Sequence, residues 1–214
     1  MNVGDATIAV CSISQDDGEM LAKNGNGTTC KGLTHREASV LLACEIPEKI
    51  EKILEDKERI QWFAAKYASA QDIFFIGRGI DYAICLEGSL KLKEISYIHS
   101  EAYAAGELKH GTISLVEENM LVIGVLTQDE LYEKTVSNML ECKSRGAYLM
   151  GLAPYGKYEA ETTCDFVTYV PKIDEHFAAS LAVVPLQLLG YYASTAKGLD
   201  VDKPRNLAKS VTVE

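Results

Sequence analysis

Between residues 72 and 197 short apolar runs alternate with segments of helical period, and few architectures accept that order. Asp72–Ile76, Met120–Leu126, Ala147–Leu152 and Phe166–Val170 are brief, apolar and bounded by polar or glycine-containing segments, so each is predicted as a buried strand. Helices are predicted over 81–99, 129–145 and 175–197. Strands alternating with helices at this spacing predict an α/β fold: a parallel sheet covered by helices on both faces, in three αβα layers. Ligands of such sheets sit beyond the carboxyl ends of the strands. The expected mouth is therefore Gly77-Arg78-Gly79 and the start of the helix that follows.

The chemistry concentrates in residues 87–111. Glu87, Lys91 and Glu94 are spaced i, i+4, i+7, which projects all three from one face of a helix. Leu86, Leu90, Ile95 and Ile98 surround them, and the stretch is expected to break at Gly106 and deliver His110 from a short glycine-bounded turn. Two carboxylates, a lysine and a histidine so close together are what proton transfer on a small molecule requires.

Composition narrows the partners. The net charge of −10 opposes nucleic acid, whose phosphates need a basic surface. It leaves room for an anionic metabolite, which needs only a few local donors. Six cysteines (Cys11, Cys30, Cys44, Cys85, Cys142, Cys164) form no Cys-x-x-Cys pair, so reduced thiols and no metal site are expected. The first 20 residues lack a basic start followed by an apolar core, and no uninterrupted apolar run is long enough to span a bilayer. A cytoplasmic protein with no membrane partner is the expectation.

The ends are harder to read. Residues 1–34 contain Thr7–Val10, which suits a short strand, and Asn24-Gly25-Asn26-Gly27, which is loop chemistry. Residues 35–70 form a helical connector: a helix over 35–45, then a long amphipathic helix opened by Pro47 and running to Ala70. Residues 71–200 form the α/β domain. The final segment, 201–214, is polar, contains Pro204 and has no helical period, so taken alone it is a surface tail.

Four motifs are long and unusual enough to carry a resemblance. They are Phe-Ile-Gly-Arg-Gly (75–79), the 87–111 stretch, Val-Pro-Leu-Gln-Leu-Leu (184–189) and Lys-Pro-Arg-Asn-Leu-Ala-Lys-Ser-Val-Thr-Val-Glu (203–214). With them residues 71–214 resemble the carboxyl-terminal half of the isomerase region of glucosamine-6-phosphate synthases (glutamine–fructose-6-phosphate aminotransferases, isomerising). The family's enzyme has a glutaminase domain and two sugar-isomerase (SIS) domains, and this chain is similar to the second SIS domain only. The glutaminase cysteine and the Ser/Thr-rich loop that grips the sugar phosphate have no counterpart here.

The resemblance assigns roles. Glu94 corresponds to the base that moves a proton between C1 and C2 of the sugar. Lys209 corresponds to the amine that forms a Schiff base with the ketone, within a tail that closes over the site. His110 corresponds to the group that assists ring opening, contributed across the interface of a homodimer. Glu87 and Lys91 would form a supporting ion pair, with Ala208 and, more weakly, Arg78 contacting substrate. Thr112 stands where the family has Pro after its His-Gly pair. His35, His99 and His176 show no partner pattern and are expected to be structural. No cofactor is implied. The implied ligand is fructose 6-phosphate, and a separate chain carrying the missing domains is a further partner. Two alternatives stand beside the enzyme reading: a non-catalytic sugar-phosphate-binding or assembly module, and a truncated gene product.

Overall fold

The computed structural model describes residues 41–205. Five strands are present in this span, all parallel: β1 (Asp72–Gly77), β2 (His99–Ala104), β3 (Leu121–Val125), β4 (Tyr148–Pro154) and β5 (Phe166–Val170), in the spatial order β2-β1-β3-β4-β5. The helices are α1 (Ile46–Glu55), α2 (Lys57–Tyr67), α3 (Ile80–Ser96), α4 (Tyr132–Lys143), the short α5 (Ala160–Thr163) and α6 (Ala178–Ala196). The predicted parallel α/β sheet and its four apolar strands are present.

Alternation along the strands sorts the core into two layers. Ile73, Phe75, Leu121, Ile123, Met150 and Leu152 face α1, α2, α3 and α6, together with Ile84, Leu92, Leu181 and Leu189. Phe74, Ile76, Val122 and Leu149 face the other way, toward Tyr132, Met139 and Cys142 of α4 and toward Leu108 and Ile113. β3 is buried along its whole length, as a central parallel strand must be.

Two expected helices end differently. The helix predicted over 81–99 stops at Ser96; Tyr97 takes a left-handed conformation (φ 58°), and the chain reverses into β2 at once. β2 was not expected, because His-Ser-Glu-Ala-Tyr-Ala is polar and only half buried. It is an edge strand, stabilised by pairing with Asp72–Gly77 rather than by apolar content. The helix predicted from Pro47 to Ala70 is two helices, broken at Asp56 (φ −93°, ψ 12°). The apolar set Ile46, Ile53, Ile60, Phe63 continues through the break, so periodicity alone hides it.

The strand order reverses between β1 and β3, and α3 leaves the carboxyl end of β1 there. Gly77 permits that exit: a Cβ on it would lie 2.7 Å from the backbone carbonyl carbon and oxygen of Asp81. Running antiparallel to the sheet, α3 carries its last turn about 20 Å back toward the amino ends of the strands.

Candidate functional site

The outer face of α3 holds the clustered charges. Lys91 Nζ lies 2.9 Å from Glu94 Oε2 and 3.6 Å from Glu87 Oε1, so one ammonium bridges both carboxylates. All three side chains are partly open to solvent, and Leu86 and Leu90 are exposed on the same flank. Desolvation by itself would lower the Lys91 pKa, but the hydrogen bond it donates to Glu94 and the charge of Glu87 outweigh it and the net direction is upward. Lys91 therefore stays charged, and its pairing fixes the Glu94 carboxylate on a solvent-facing surface.

His110 is elsewhere. It ends the 3-10 turn Leu108–His110, which follows β2 at the carboxyl end of the sheet, and it is exposed. Leu108 of that turn buries itself in the α4-side core, whereas α3 buries Ile84 and Leu92 in the opposite core. Glu94 and His110 thus lie on opposite faces and at opposite ends of one sheet. A single chain does not bring them together. Lys209 and Ala208 lie outside the described residues, as does His35.

Arg78 stands at the mouth, where topology led one to look. Its Nε and Nη2 donate to Asn138 Oδ1 at 3.2 and 2.8 Å, which ties the end of β1 to α4. A Cβ on Gly106 would come within 2.7 Å of Nη2, so the guanidinium is enclosed by protein on that side. These contacts give Arg78 an architectural task.

Sequence reasoning missed Asp81, which fills the crevice between β1 and β3. It is 1% exposed. Its carboxylate accepts the backbone N–H of Thr127 at 2.9 Å and that of Gln128 at 3.4 Å, and the Thr127 hydroxyl also donates to it. Gln128 Nε2 donates to the Arg78 carbonyl at 2.9 Å. Burial pushes the Asp81 pKa above its ordinary 3.8, and the hydrogen bonds from Thr127 and Gln128 oppose that rise. Helix N-termini and loop amides at such a switch point ordinarily suit an anion. Here a protein carboxylate already takes those donors. The one available signal was an acid in the first turn after Gly-Arg-Gly.

Two histidines that show no partner pattern in the sequence have acidic partners in the structure. His99 Nδ1 lies 2.5 Å from Asp72 Oδ1 across β1 and β2, and His176 Nδ1 lies 2.6 Å from Asp174 Oδ1. Cys85, Cys142 and Cys164 are buried and unpaired; Cys44 is exposed. Burial raises the Cys142 and Cys164 thiols to about 12, so neither is a nucleophile at neutral pH. Among the described residues no group of three or more His, Cys, Asp or Glu is arranged to hold a metal ion, and no helix is long and apolar enough to cross a membrane.

Comparison with known proteins agrees with this architecture. The family model for the SIS domain matches residues 66–197. The glutamine–fructose-6-phosphate aminotransferase (isomerizing) of Caldanaerobacter subterraneus is 56% identical over 170 residues, 79% of this chain and 28% of the relative. The protein of the same name from Clostridium acetobutylicum is 51% identical over 197 residues, 92% of this chain and 32% of the relative. The chain thus spans under a third of the length of these relatives. Among solved structures, the C-terminal domain of glucosamine-fructose-6-phosphate aminotransferase from Francisella tularensis superposes with a TM-score of 0.73 at 35% identity, covering 81% of this chain and 49% of that one.

Proposed function

Since the chain belongs to the SIS domain family, we propose that it supplies the proton-transfer half of a sugar-phosphate isomerising site. The substrate is fructose 6-phosphate, and the full reaction is amination to glucosamine 6-phosphate with glutamine as nitrogen source. The observation that carries this reading is the Glu87–Lys91–Glu94 cluster, solvent-facing on the last turns of α3, in a chain more than half identical to aminotransferases of that name.

The chemistry follows from the residues. The hemiketal ring opens when a base takes the anomeric hydroxyl proton; His110 is assigned this step, because an imidazole nitrogen can serve as a general base. The free C2 ketone reacts with the Lys209 amine, losing water to form an imine. That imine acidifies the C1 hydrogen by drawing electrons toward nitrogen. Ammonia from glutamine then displaces Lys209 from C2 by transimination, returning the free lysine amine. Glu94 removes the C1 proton of the resulting C2=NH imine and returns it to C2, while the C1 hydroxyl loses its proton, so that C2–N becomes a single bond and C1 the aldehyde carbonyl. Lys91 fixes the Glu94 carboxylate and, through Glu87, is itself held in place.

Because Glu94 and His110 lie on opposite faces of the sheet, they meet only if two copies of the chain share a site. We therefore assign the working unit as a homodimer, completed by a polypeptide that corresponds to the remaining length of the relatives and holds the phosphate. The test is a coupled assay for conversion of fructose 6-phosphate to glucose 6-phosphate, with this chain alone and mixed with such a polypeptide. Turnover that falls about a hundredfold or more in Glu94→Gln and in Lys209→Ala supports the reading, the size expected for loss of a positioned acid–base group or covalent partner. Absence of turnover in every mixture, or full activity in both variants, overturns it.

A further inference from the structure

A cleft that the chemistry proposed above does not use lies beyond the carboxyl ends of β4 and β5, where ligands of parallel sheets collect. Three elements build it: Lys49, Lys52 and Glu55 come from α1, Tyr155 from the turn after β4, and Pro171 and Lys172 from the chain after β5. Its volume, about 570 Å³, suits a ligand the size of a small metabolite.

The charge of the cleft runs against that of the chain. Three lysines face one glutamate here, although the whole chain carries a net charge of −10. Lys49 is already taken, with its Nζ 2.8 Å from Glu45 Oε2. Lys52 and Lys172 are exposed, and among the described residues neither makes an ion pair. The Lys172 ammonium stands beside the turn after β4: Gly156 has φ 94°, and a Cβ on it would lie 3.6 Å from Nζ.

The aromatic wall is held in place from behind. The Tyr155 N–H donates to the Val170 carbonyl at 2.9 Å, which ties the turn to the end of β5. The Tyr155 ring stacks on Tyr169, with centroids 5.7 Å apart and planes at 20°. Tyr158 meets Tyr169 edge-on at 5.5 Å, and the Tyr169 hydroxyl donates to Glu161 Oε1 at 2.9 Å. Tyr155 is thus a fixed ring that remains 43% exposed, with Pro171 beside it. A ring already immobilised loses little entropy when a ligand packs against it.

We propose that this cleft binds a sugar phosphate, its ring against Tyr155 and its phosphate met by Lys52 and Lys172. A lysine serves phosphate as a point charge on a long flexible stem, so two of them reach one group from different elements. Tyr155 is the one aromatic residue of the lining, which suits a sugar ring packed on a single face better than a base held between two rings. The bound ligand also ties α1 to the turns after β4 and β5. None of these residues has a task in the chemistry of Glu94, Lys209 and His110, so the proposal stands or falls apart from it.

The test is a titration of the full chain with glucose 6-phosphate, followed through backbone amide shifts, with glucose, inorganic phosphate and adenosine monophosphate as separate arms. The proposal predicts saturable shifts at Tyr155, Gly156 and Lys172 with glucose 6-phosphate and none with glucose. Replacing both exposed lysines, Lys52→Gln with Lys172→Gln, leaves the melting temperature unchanged and weakens binding about tenfold or more. Added salt weakens it in the same direction. Tyr155→Ala weakens glucose 6-phosphate by about fivefold and leaves inorganic phosphate unaffected. No shift at these residues with glucose 6-phosphate overturns the proposal, as does full affinity in the double lysine variant. Inorganic phosphate bound as tightly as glucose 6-phosphate marks an adventitious ion only and overturns it as well. Tighter binding of adenosine monophosphate overturns the sugar in favour of a nucleotide.

Discussion

Asp81 shows what a single side chain decides in this fold. A buried carboxylate is costly unless its oxygens are met by donors, and here two amides and a hydroxyl meet them. Its folded pKa stands above 3.8, so ionisation opposes folding: stability is greatest below the unfolded value and declines as pH rises through the folded one. Asp81→Asn preserves the acceptor for both amides and removes that dependence. Denaturant unfolding at pH 3.5 and pH 7 should show a smaller change between the two values in Asp81→Asn than in the wild type. Asp81→Ala leaves the Thr127 and Gln128 amides without a partner and should cost about 1–3 kcal/mol at both. Before the fold is known, the run Arg78-Gly79-Ile80-Asp81 offers only an acid in the first turn of a helix, because the donors come from the loop after β3, 46 and 47 residues away. Glu87, Lys91 and Glu94 are the reverse case. Their spacing is a property of one helix, so their common face was legible at once. Their roles depended on the resemblance.

At the scale of elements, the strands that could be read were those buried on both faces. Ile73–Ile76 and Leu121–Val125 are apolar because they have no solvent side. β2 escaped notice because an edge strand buries little, and its identity lies in its pairing with β1. The Asp56 break escaped because the apolar stripe of α1 continues into α2. The turn from β1 to α3 is the joint that matters most for the site, since it aims the helix carrying Glu94. Gly77→Ala would press a methyl group against the backbone of Asp81 and Tyr82, which cannot rotate aside. The expected loss is about 1–3 kcal/mol, from overpacking of a close-packed joint, visible as a lower melting temperature. Turnover should fall with it even where the variant remains folded, because α3 is displaced.

On the scale of the whole molecule, the sheet separates the two residues that the proposed chemistry would combine. Glu94 lies toward the carboxyl end of α3, whereas His110 lies beyond the far end of the opposite face. On the proposed reading such a chain would contribute two half-sites rather than one whole; beside Glu87 and Lys91 the apolar Leu86 and Leu90 are exposed. The expectation of a shared site comes from the resemblance and not from the order of residues: His110 follows Glu94 by only 16 positions, a separation that by itself does not point to different subunits. The placement of the two on opposite faces of the sheet is compatible with that expectation. Mixing tests it most directly. Glu94→Gln and His110→Ala, each inactive alone in the coupled fructose 6-phosphate assay, are combined under conditions that exchange subunits. If sites form between copies, half of the dimers carry one intact site and about a quarter of wild-type activity returns. Activity that stays at the level of the separate variants, against an active wild type, would contradict a shared site.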